Sequence, residues 1–225
     1  MSSATRLHRQ DPAPRRRRGP LLAAAGLAWA GFGGLWWAVR HGGGPGFDRP
    51  VLLFWHRHAT SALDQLAVLL TIIGNTGPMV VAGVLVLCWL RRRGRRAEAW
   101  GFALSVGGSM LLTQLLKALV RRPRPALWAS LRPEATLSFP SGHAMDTAAL
   151  VTALGFLLWQ RRAAGPARAA ALVPAALFAL AVGWARVYLG VHHPSDVLAG
   201  WAAAVGWVLL VQGLWPGALL GRSAN

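Results

Sequence analysis

The sequence predicts an all-α integral membrane protein, a bundle of about six transmembrane helices. Hydrophobic residues make up 54% of the 225 residues and charged residues only 14%. The 24 Lys and Arg residues gather in short clusters between long apolar runs, as in membrane proteins. Twelve Trp accompany a single Tyr, which fits aromatic rings at membrane interfaces. This composition excludes a disordered chain, and a single cysteine excludes a disulfide scaffold.

The net charge of +17 would also fit a nucleic-acid-binding protein. Its distribution between apolar runs argues against that class, so we expect no nucleic-acid partner. Anionic lipid headgroups are the expected partners of the basic tail and loops.

The first elements are a tail and one span. Residues 1–19 are polar and basic and predict a disordered cytoplasmic tail. Residues 20–39 form an apolar run long enough to cross a hydrocarbon core of about 30 Å. A cleavable signal peptide is the alternative, because residues 28–30 resemble a small-x-small cleavage site. The apolar run continues past that site, which favours a span.

Residues 40–63 predict a loop whose short apolar-aromatic piece lies along the interface. The apolar stretch 65–90 is interrupted at 74–78, where Pro78 breaks or kinks a helix. We therefore expect a short helix to about 74 and a second span over 77–90. The remaining predicted spans are 99–120, 142–160, 167–187 and 195–215. Together they predict one membrane domain over 20–216, with a motif region at 117–196 and a short cytoplasmic tail at 217–225.

The arginine clusters predict the orientation. Dense clusters lie at 15–18, 91–96 and 161–168, and the six-span order places all three on one side. By the positive-inside rule that side is the cytoplasm, so both termini are expected there, in the inner (plasma) membrane. The outside segment 121–141 is also basic, and its charge requires another explanation.

Three motifs lie at the predicted outer ends of the spans. Lys117 is the only lysine and lies in the last turn of an apolar helix, with Arg124 between two prolines shortly after it. Solvated or snorkelling cations are the ordinary alternative for this patch.

The second motif is Phe-Pro-Ser-Gly-His, directly before an apolar run. Ser141 is a good N-cap, Gly142 lets the backbone approach a ligand, and His143 lies in the first turn of the helix. An ordinary helix cap with an interfacial histidine is the alternative.

The third motif carries Arg186, then His192 and, four residues later, Asp196. A carboxylate at that spacing can hold an imidazole N–H and support its cation. Pro194 suits the first position of a helix. Here too a capped helix start with a satisfied histidine is the alternative.

Together the motifs provide cations for a tetrahedral oxyanion, a nucleophile and an acid/base, which is the set that phosphoryl transfer needs. They resemble the signature of the type-2 phosphatidic acid phosphatase family, which also contains vanadium haloperoxidases. That signature reads K-x-x-x-x-x-x-R-P, then P-S-G-H, then S-R-x-x-x-x-x-H-x-x-x-D, and the spacings match. One departure is Ala185, which replaces the serine before the arginine.

The resemblance implies a metal-independent hydrolase without a cofactor, in an all-helical membrane bundle. By it, His192 attacks phosphorus and forms a phosphohistidine, Asp196 orients His192, and His143 serves as acid and then base. The implied phosphate-binding residues are Lys117, Arg124, Ser141, Gly142 and Arg186.

The expected substrate is a membrane lipid phosphate. The motifs do not choose between phosphatidic acid, phosphatidylglycerophosphate and a polyprenyl diphosphate such as undecaprenyl diphosphate. Two alternatives remain for the chain as a whole. One is vanadate-dependent peroxidase-like chemistry at the same site, and the other is a non-enzymatic basic membrane protein.

Overall fold

The computed structural model describes residues 18–160 and 165–215. Within these ranges the chain is helical and contains no strand, which confirms the predicted fold class. The helices are α1 (Arg18–Gly42), α2 (Asp48–Arg57), α3 (Ser61–Ile73), α4 (Thr76–Arg92), α5 (Arg96–Val120), α6 (Gly142–Gln160), α7 (Gly165–Tyr188) and α8 (Pro194–Leu214). The predicted tails up to residue 17 and from residue 217, and the arginine pair at 161–162, lie outside the described residues.

The predicted loop at 40–63 is in fact largely helical. Helix α2 occupies its centre and α3 already begins at Ser61, where Thr60 accepts a hydrogen bond from the Leu63 N–H. Helix α2 is stabilised by the acidic Asp48 in its first turn, and it buries Asp48 and Leu52 against the bundle. The high polarity of this segment concealed the helix from sequence analysis.

The predicted interruption between 74 and 78 is a bend between two helices. The chain bends by 47° between α3 and α4, at Gly74 and Asn75. Pro78 lies in the first turn of α4, where a missing N–H costs nothing, so the bend lies before the proline rather than at it. Gly74 is required there, because a Cβ on it would lie 2.6 Å from Val182 of α7.

Four described helices are long and apolar enough to cross a membrane, namely α1, α5, α7 and α8. The bent α3–α4 pair would make a fifth. Helix α6 was predicted as the fourth of six spans but is not among these candidates. It carries His143 and Asp146 in its first two turns and is enclosed by α5, α7 and α8.

Packing around α8 positions the functional end of the bundle. Helix α8 packs against α1, α5 and α6, and many of its residues are buried. Its Gly200 touches the start of α6, since a Cβ there would lie 2.8 Å from the Ser141 carbonyl oxygen. The first turns of α6 and α8 are thereby held side by side.

Candidate active site

The three sequence motifs meet at one end of the bundle. Lys117 ends α5, the segment 121–141 crosses that end as irregular chain, and α6 and α8 both begin there. Arg186 comes from the last turn of α7. The structure therefore brings all eight predicted residues to one place, through four helices and two connections.

Arg124 is the residue that joins the motifs. Its guanidinium donates from Nε to the Thr136 carbonyl (2.6 Å), from Nη2 to the Thr136 hydroxyl (2.9 Å) and from Nη1 to the Val191 carbonyl (2.7 Å). Nη1 also lies 3.1 Å from Nε2 of His192. The prolines on either side keep this segment extended, so the guanidinium reaches across to the α7–α8 connection.

A carboxylate lies among the cations. Glu134 Oε1 accepts a hydrogen bond from Arg186 Nη2 at 2.6 Å, and Oε2 lies 3.8 Å from Arg124 Nη2. Arg186 also reaches the Thr71 hydroxyl of α3 at 3.4 Å. Lys117 Nζ donates to the Thr136 hydroxyl at 3.2 Å. The three predicted phosphate-binding cations thus surround the short segment 134–136, which itself carries the carboxylate of Glu134.

The charge of Glu134 is stabilised by its neighbours. Burial alone would raise the pKa of this carboxyl, but attraction to Arg186 and Arg124 and the Arg186 hydrogen bond outweigh it and lower the pKa. Burial lowers the pKa of Arg124, against the attraction of Glu134. At neutral pH the cluster therefore consists of an ionised Glu134 paired with the charged Arg186 and Arg124.

His192 is enclosed, with 1% of its surface exposed. Burial, with the nearby Arg186 and Arg124 charges, lowers its pKa to about 3, against the raising effect of Asp196. A neutral ring that faces the Arg124 donor through Nε2 carries its proton on Nδ1, on the side of Asp196. The Nδ1–Oδ2 distance is 3.6 Å, longer than a hydrogen bond, and Nδ1 has no other partner among the described residues.

Asp196 is bound mainly by groups other than His192. Its Oδ1 accepts from Arg122 Nη1 at 2.6 Å. Its Oδ2 accepts from the Ser138 hydroxyl and, at 2.8 Å, from the His193 N–H. The carboxylate is fully buried and held from three sides.

The start of α6 carries buried polar atoms without a protein partner. They are Oγ of Ser141 and Nε2 of His143, and Nε of Arg186 is a third such atom nearby. His143 lies within electrostatic range of Arg186, His192, Glu134 and Lys117. A Cβ on Gly142 would lie 4.0 Å from Lys117 Nζ, so this backbone adjoins the amine.

Ser141 is the residue directly before α6, as predicted for an N-cap, but its hydroxyl makes no capping hydrogen bond. Its backbone carries the structural contacts instead, because the N–H donates to the Asp196 carbonyl and the carbonyl accepts from the Met145 N–H, both at 3.0 Å. The hydroxyl is therefore left free to face the site. Asp146, one turn after His143 on α6, accepts a hydrogen bond from the Thr76 hydroxyl of α4 at 2.7 Å and so contacts another helix.

Sequence analysis missed five residues that the site uses. They are Asp48, Arg122, Glu134, Thr136 and Ser138. The acidic residues Asp48 and Glu134 could have been singled out from the sequence, because the chain has only seven Asp and Glu residues. Arg122 and Arg124 also explain the basic character of the segment 121–141, because both are paired with site carboxylates.

Comparison with known proteins then identifies the family. The model of the PAP2 superfamily matches residues 98–217, more than half of the chain. The chain belongs to the PAP2 superfamily. This confirms the family expected from the motifs, and the PAP2 match includes all three of them.

Two PAP2-like relatives show the range of phosphatases that resemble the chain. It is 35% identical over 108 residues to phosphatidylglycerophosphatase B of Bacillus subtilis, covering 48% of this chain and 53% of that protein. It thus spans about half the length of that relative. It is 34% identical to decaprenylphosphoryl-5-phosphoribose phosphatase of Mycobacterium tuberculosis, covering 58% of this chain and 67% of that one. Both are phosphatases, as predicted for this enzyme class.

A solved structure has the same fold. The transmembrane PAP2-type phosphatidylglycerolphosphate phosphatase of B. subtilis superposes with a TM-score of 0.76 at 25% identity, covering 84% of this chain and 94% of that one. The likeness extends beyond the residues of the PAP2 match and includes most of the helical bundle.

Proposed function

We propose that this chain is an integral membrane phosphatase that hydrolyses a lipid phosphate mono- or diphosphoester through a phosphohistidine on His192. The observation that carries the proposal is the set of buried polar atoms without a protein partner at Ser141, His143 and Arg186. Buried polar atoms without a partner require an explanation, and a ligand bound at this end of the bundle would satisfy these three together. Their neighbours are Lys117 and Arg124, so the ligand that fits is an anion with several acceptor oxygens.

The first step is attack by His192. In the free protein its Nε2 lone pair faces Arg124 Nη1 at 3.1 Å, so Arg124 transfers this donor to the incoming phosphate before Nε2 attacks phosphorus. The N–P bond forms while the bond between phosphorus and the lipid oxygen breaks. His143 donates a proton to that leaving oxygen. The ring of His192 becomes cationic, and Asp196 on the Nδ1 side stabilises it.

The second step is hydrolysis of the phosphohistidine. His143, now neutral, takes a proton from water, and the water oxygen attacks phosphorus. The N–P bond breaks, the electron pair returns to Nε2, and inorganic phosphate leaves. Lys117, Arg124 and Arg186 stabilise the equatorial oxygens in both steps, with the Ser141 hydroxyl and the N–H groups at the start of α6.

The substrate class follows from the place of the site. It lies at the end of a bundle whose outer surface is apolar, so a phosphate headgroup would reach the cations while its tail stays in lipid. Leu111 and Leu119 on α5, for example, are 70% and 72% exposed. The names of the two relatives support a phospholipid or a polyprenyl lipid.

The test is phosphate release by the full chain purified in detergent. The panel contains phosphatidic acid, phosphatidylglycerophosphate and undecaprenyl diphosphate, with acid-quench trapping of labelled phosphate. We expect His192→Ala to abolish both turnover and trapped label. His143→Ala should retain some label with an aryl phosphate, whose leaving group needs no proton, and lose about 10²–10⁴-fold on a lipid phosphate. Trapped label on His192→Ala at the wild-type level would remove the nucleophile and the proposal.

The matched control is His58→Ala, because His58 is exposed at the C-cap of α2, where its ring bonds the Phe54 carbonyl and packs against the Phe54 ring. It should leave turnover unchanged. Activity should also persist in EDTA, since the cations above meet the phosphate charge. Loss of turnover in EDTA that magnesium restores would contradict the metal-independent mechanism.

A further inference from the structure

A buried arginine lies between two carboxylates behind the proposed nucleophile. Arg122 is 5% exposed. Its Nη1 donates to Asp196 Oδ1 at 2.6 Å, and its Nη2 donates to Asp48 Oδ2 at 2.8 Å. Nη2 also donates to the Gly43 carbonyl at 2.8 Å. One guanidinium thus joins the first turn of α8 to the first turn of α2.

Asp48 contacts α8 directly as well. Its Oδ1 accepts from the Ser195 N–H at 2.9 Å, and its Oδ2 accepts from the Ser195 hydroxyl at 2.6 Å. The Ser195 hydroxyl also accepts from Arg122 Nη1 at 2.8 Å. Asp48, Arg122, Ser195 and Asp196 therefore form one closed hydrogen-bonded cluster, the clamp.

The backbone before α2 is shaped to allow the clamp. Gly44 has a φ of +131°, a conformation that residues with a side chain rarely adopt. A Cβ on it would lie 2.2 Å from Arg122 Nη2 and 2.8 Å from Asp48 Oδ2. Only glycine lets the guanidinium and the carboxylate approach here.

The charges of the clamp explain why two carboxylates are present. Arg122 bound to Asp196 alone would neutralise it, and Asp196 would then offer little support to a cationic His192. With Asp48 sharing the guanidinium, one negative charge remains in a buried cluster. Such a charge acts strongly at short range in a poorly solvated site.

We propose that Asp48 is a positioning residue for the phosphatase reaction. Through Arg122 it fixes the orientation of Asp196 and leaves the negative charge of Asp196 available to His192. Asp48 touches neither the phosphate cluster nor the histidines, and it lies outside the residues 98–217 of the PAP2 match. The inference rests on the proposed function, since it assumes that His192 is the nucleophile.

The test compares Asp48→Asn with wild type in the full chain. The substitution keeps the shape and removes the charge. We expect kcat and the rate of phosphohistidine formation to fall roughly 10- to 100-fold, the loss typical when an outer partner that orients a functional side chain is removed. KM and inhibition by inorganic phosphate should stay within about twofold, because the phosphate-binding cations are unchanged.

The matched control is Asp64→Asn on the neighbouring helix α3. Asp64 accepts a hydrogen bond from the Tyr188 hydroxyl at 2.6 Å and has no link to Arg122. This variant should keep wild-type kcat. A general loosening of the fold would weaken phosphate binding and lower the melting temperature in both variants, and such a result would overturn the positioning role.

Ser195→Ala keeps the test decisive if Asp48→Asn does not fold. It removes only the hydroxyl that bridges Arg122 and Asp48, and kcat should fall severalfold with KM unchanged. If Asp48→Asn folds and keeps the wild-type kcat, the inference is overturned. If Asp48→Asn does not fold, an unchanged kcat in Ser195→Ala overturns it. The proposed function would survive either result as long as His192→Ala traps no label, so the two failures are distinguishable.

Discussion

Glu134 is the residue whose position says most about how the site handles anions. Its carboxylate bonds Arg186 and lies near Arg124, where a substrate phosphate would have to bind. A phosphate that enters the cluster therefore competes with a resident anion. Glu134 thus weakens the binding of any free anion to the site.

Replacing Glu134 by Gln should strengthen inhibition by inorganic phosphate. The neutral amide competes less well for the two guanidinium groups, so the inhibition constant should fall by up to about tenfold, a modest change because the carboxylate is partly exposed. The measurement is inhibition of aryl phosphate hydrolysis. Glu98→Gln serves as control, since Glu98 pairs with Arg95 at the other end of α5. Weaker phosphate inhibition in Glu134→Gln would mean that Glu134 assists phosphate binding instead.

His192 should stay neutral throughout the pH range in which histidine usually titrates. It lies between α7 and α8, and burial lowers its pKa to about 3. A lowered pKa means that the ring takes up a proton only well below the usual pH, so the nucleophile remains available between about pH 5 and 8. The imidazole NMR signal that disappears in His192→Ala should not shift over that range in the free protein. A titration midpoint near that of free histidine would contradict this expectation.

At the scale of helices, the contact between α6 and α8 determines the site geometry. Gly200 of α8 lets the Ser141 carbonyl approach closely. The Ser141 N–H also donates a hydrogen bond to the Asp196 carbonyl of α8. The two helix starts therefore share both a close backbone approach and a hydrogen bond. A change at Gly200 would move α6, which carries His143, relative to His192 just before the start of α8.

Gly200→Ala should destabilise the fold and impair catalysis together. The added methyl would lie 2.8 Å from the Ser141 oxygen, and overpacking of this kind costs about 1–3 kcal/mol. Gly107→Ala on α5 is the matched control, because a Cβ there meets nothing within 4 Å. The measurements are the melting temperature in detergent and kcat on an aryl phosphate. Equal behaviour of the two variants would show that the α6–α8 contact does not hold the site.

The elements and motifs were predictable from sequence to different degrees. Apolar run lengths gave the long helices closely, and motif spacing gave the residues that the structure brings together at the candidate site, because both depend on local patterns. Helix α2 was missed, since its buried face consists of little more than Asp48 and Leu52. The partners of Asp196 could not be predicted either, because Arg122 is 74 residues away from it in sequence and no periodicity links the two.

At the scale of the whole molecule, the arginine cluster 91–96 and the candidate site lie at opposite ends of α5. Helix α5 has 25 residues and so spans about 37 Å, with the arginine cluster 91–96 at its start and Lys117 at its end. If the arginine cluster is cytoplasmic, the catalytic end faces outward.

A topology reporter tests this orientation. A fusion after Asn225 should report a cytoplasmic location, and a reporter inserted in the segment 121–141 should report the opposite side. The positive-inside bias of the 91–96 cluster is the reason. An extracytoplasmic signal from the C-terminal fusion would contradict both the orientation and the expected even number of crossings.

The clamp also has consequences for the order in which the protein is made. Asp48 leaves the ribosome 74 residues before Arg122 and 147 residues before Ser195. At a synthesis rate of about 5–20 residues per second, Arg122 is synthesised roughly 4–15 s after Asp48, and Ser195 roughly 7–30 s after it. Burial of a carboxylate without a partner costs free energy, so exposure of α2 to water is favoured during that interval. The clamp therefore cannot be complete before α8 has been synthesised, and only then does Asp196 have its full set of neighbours.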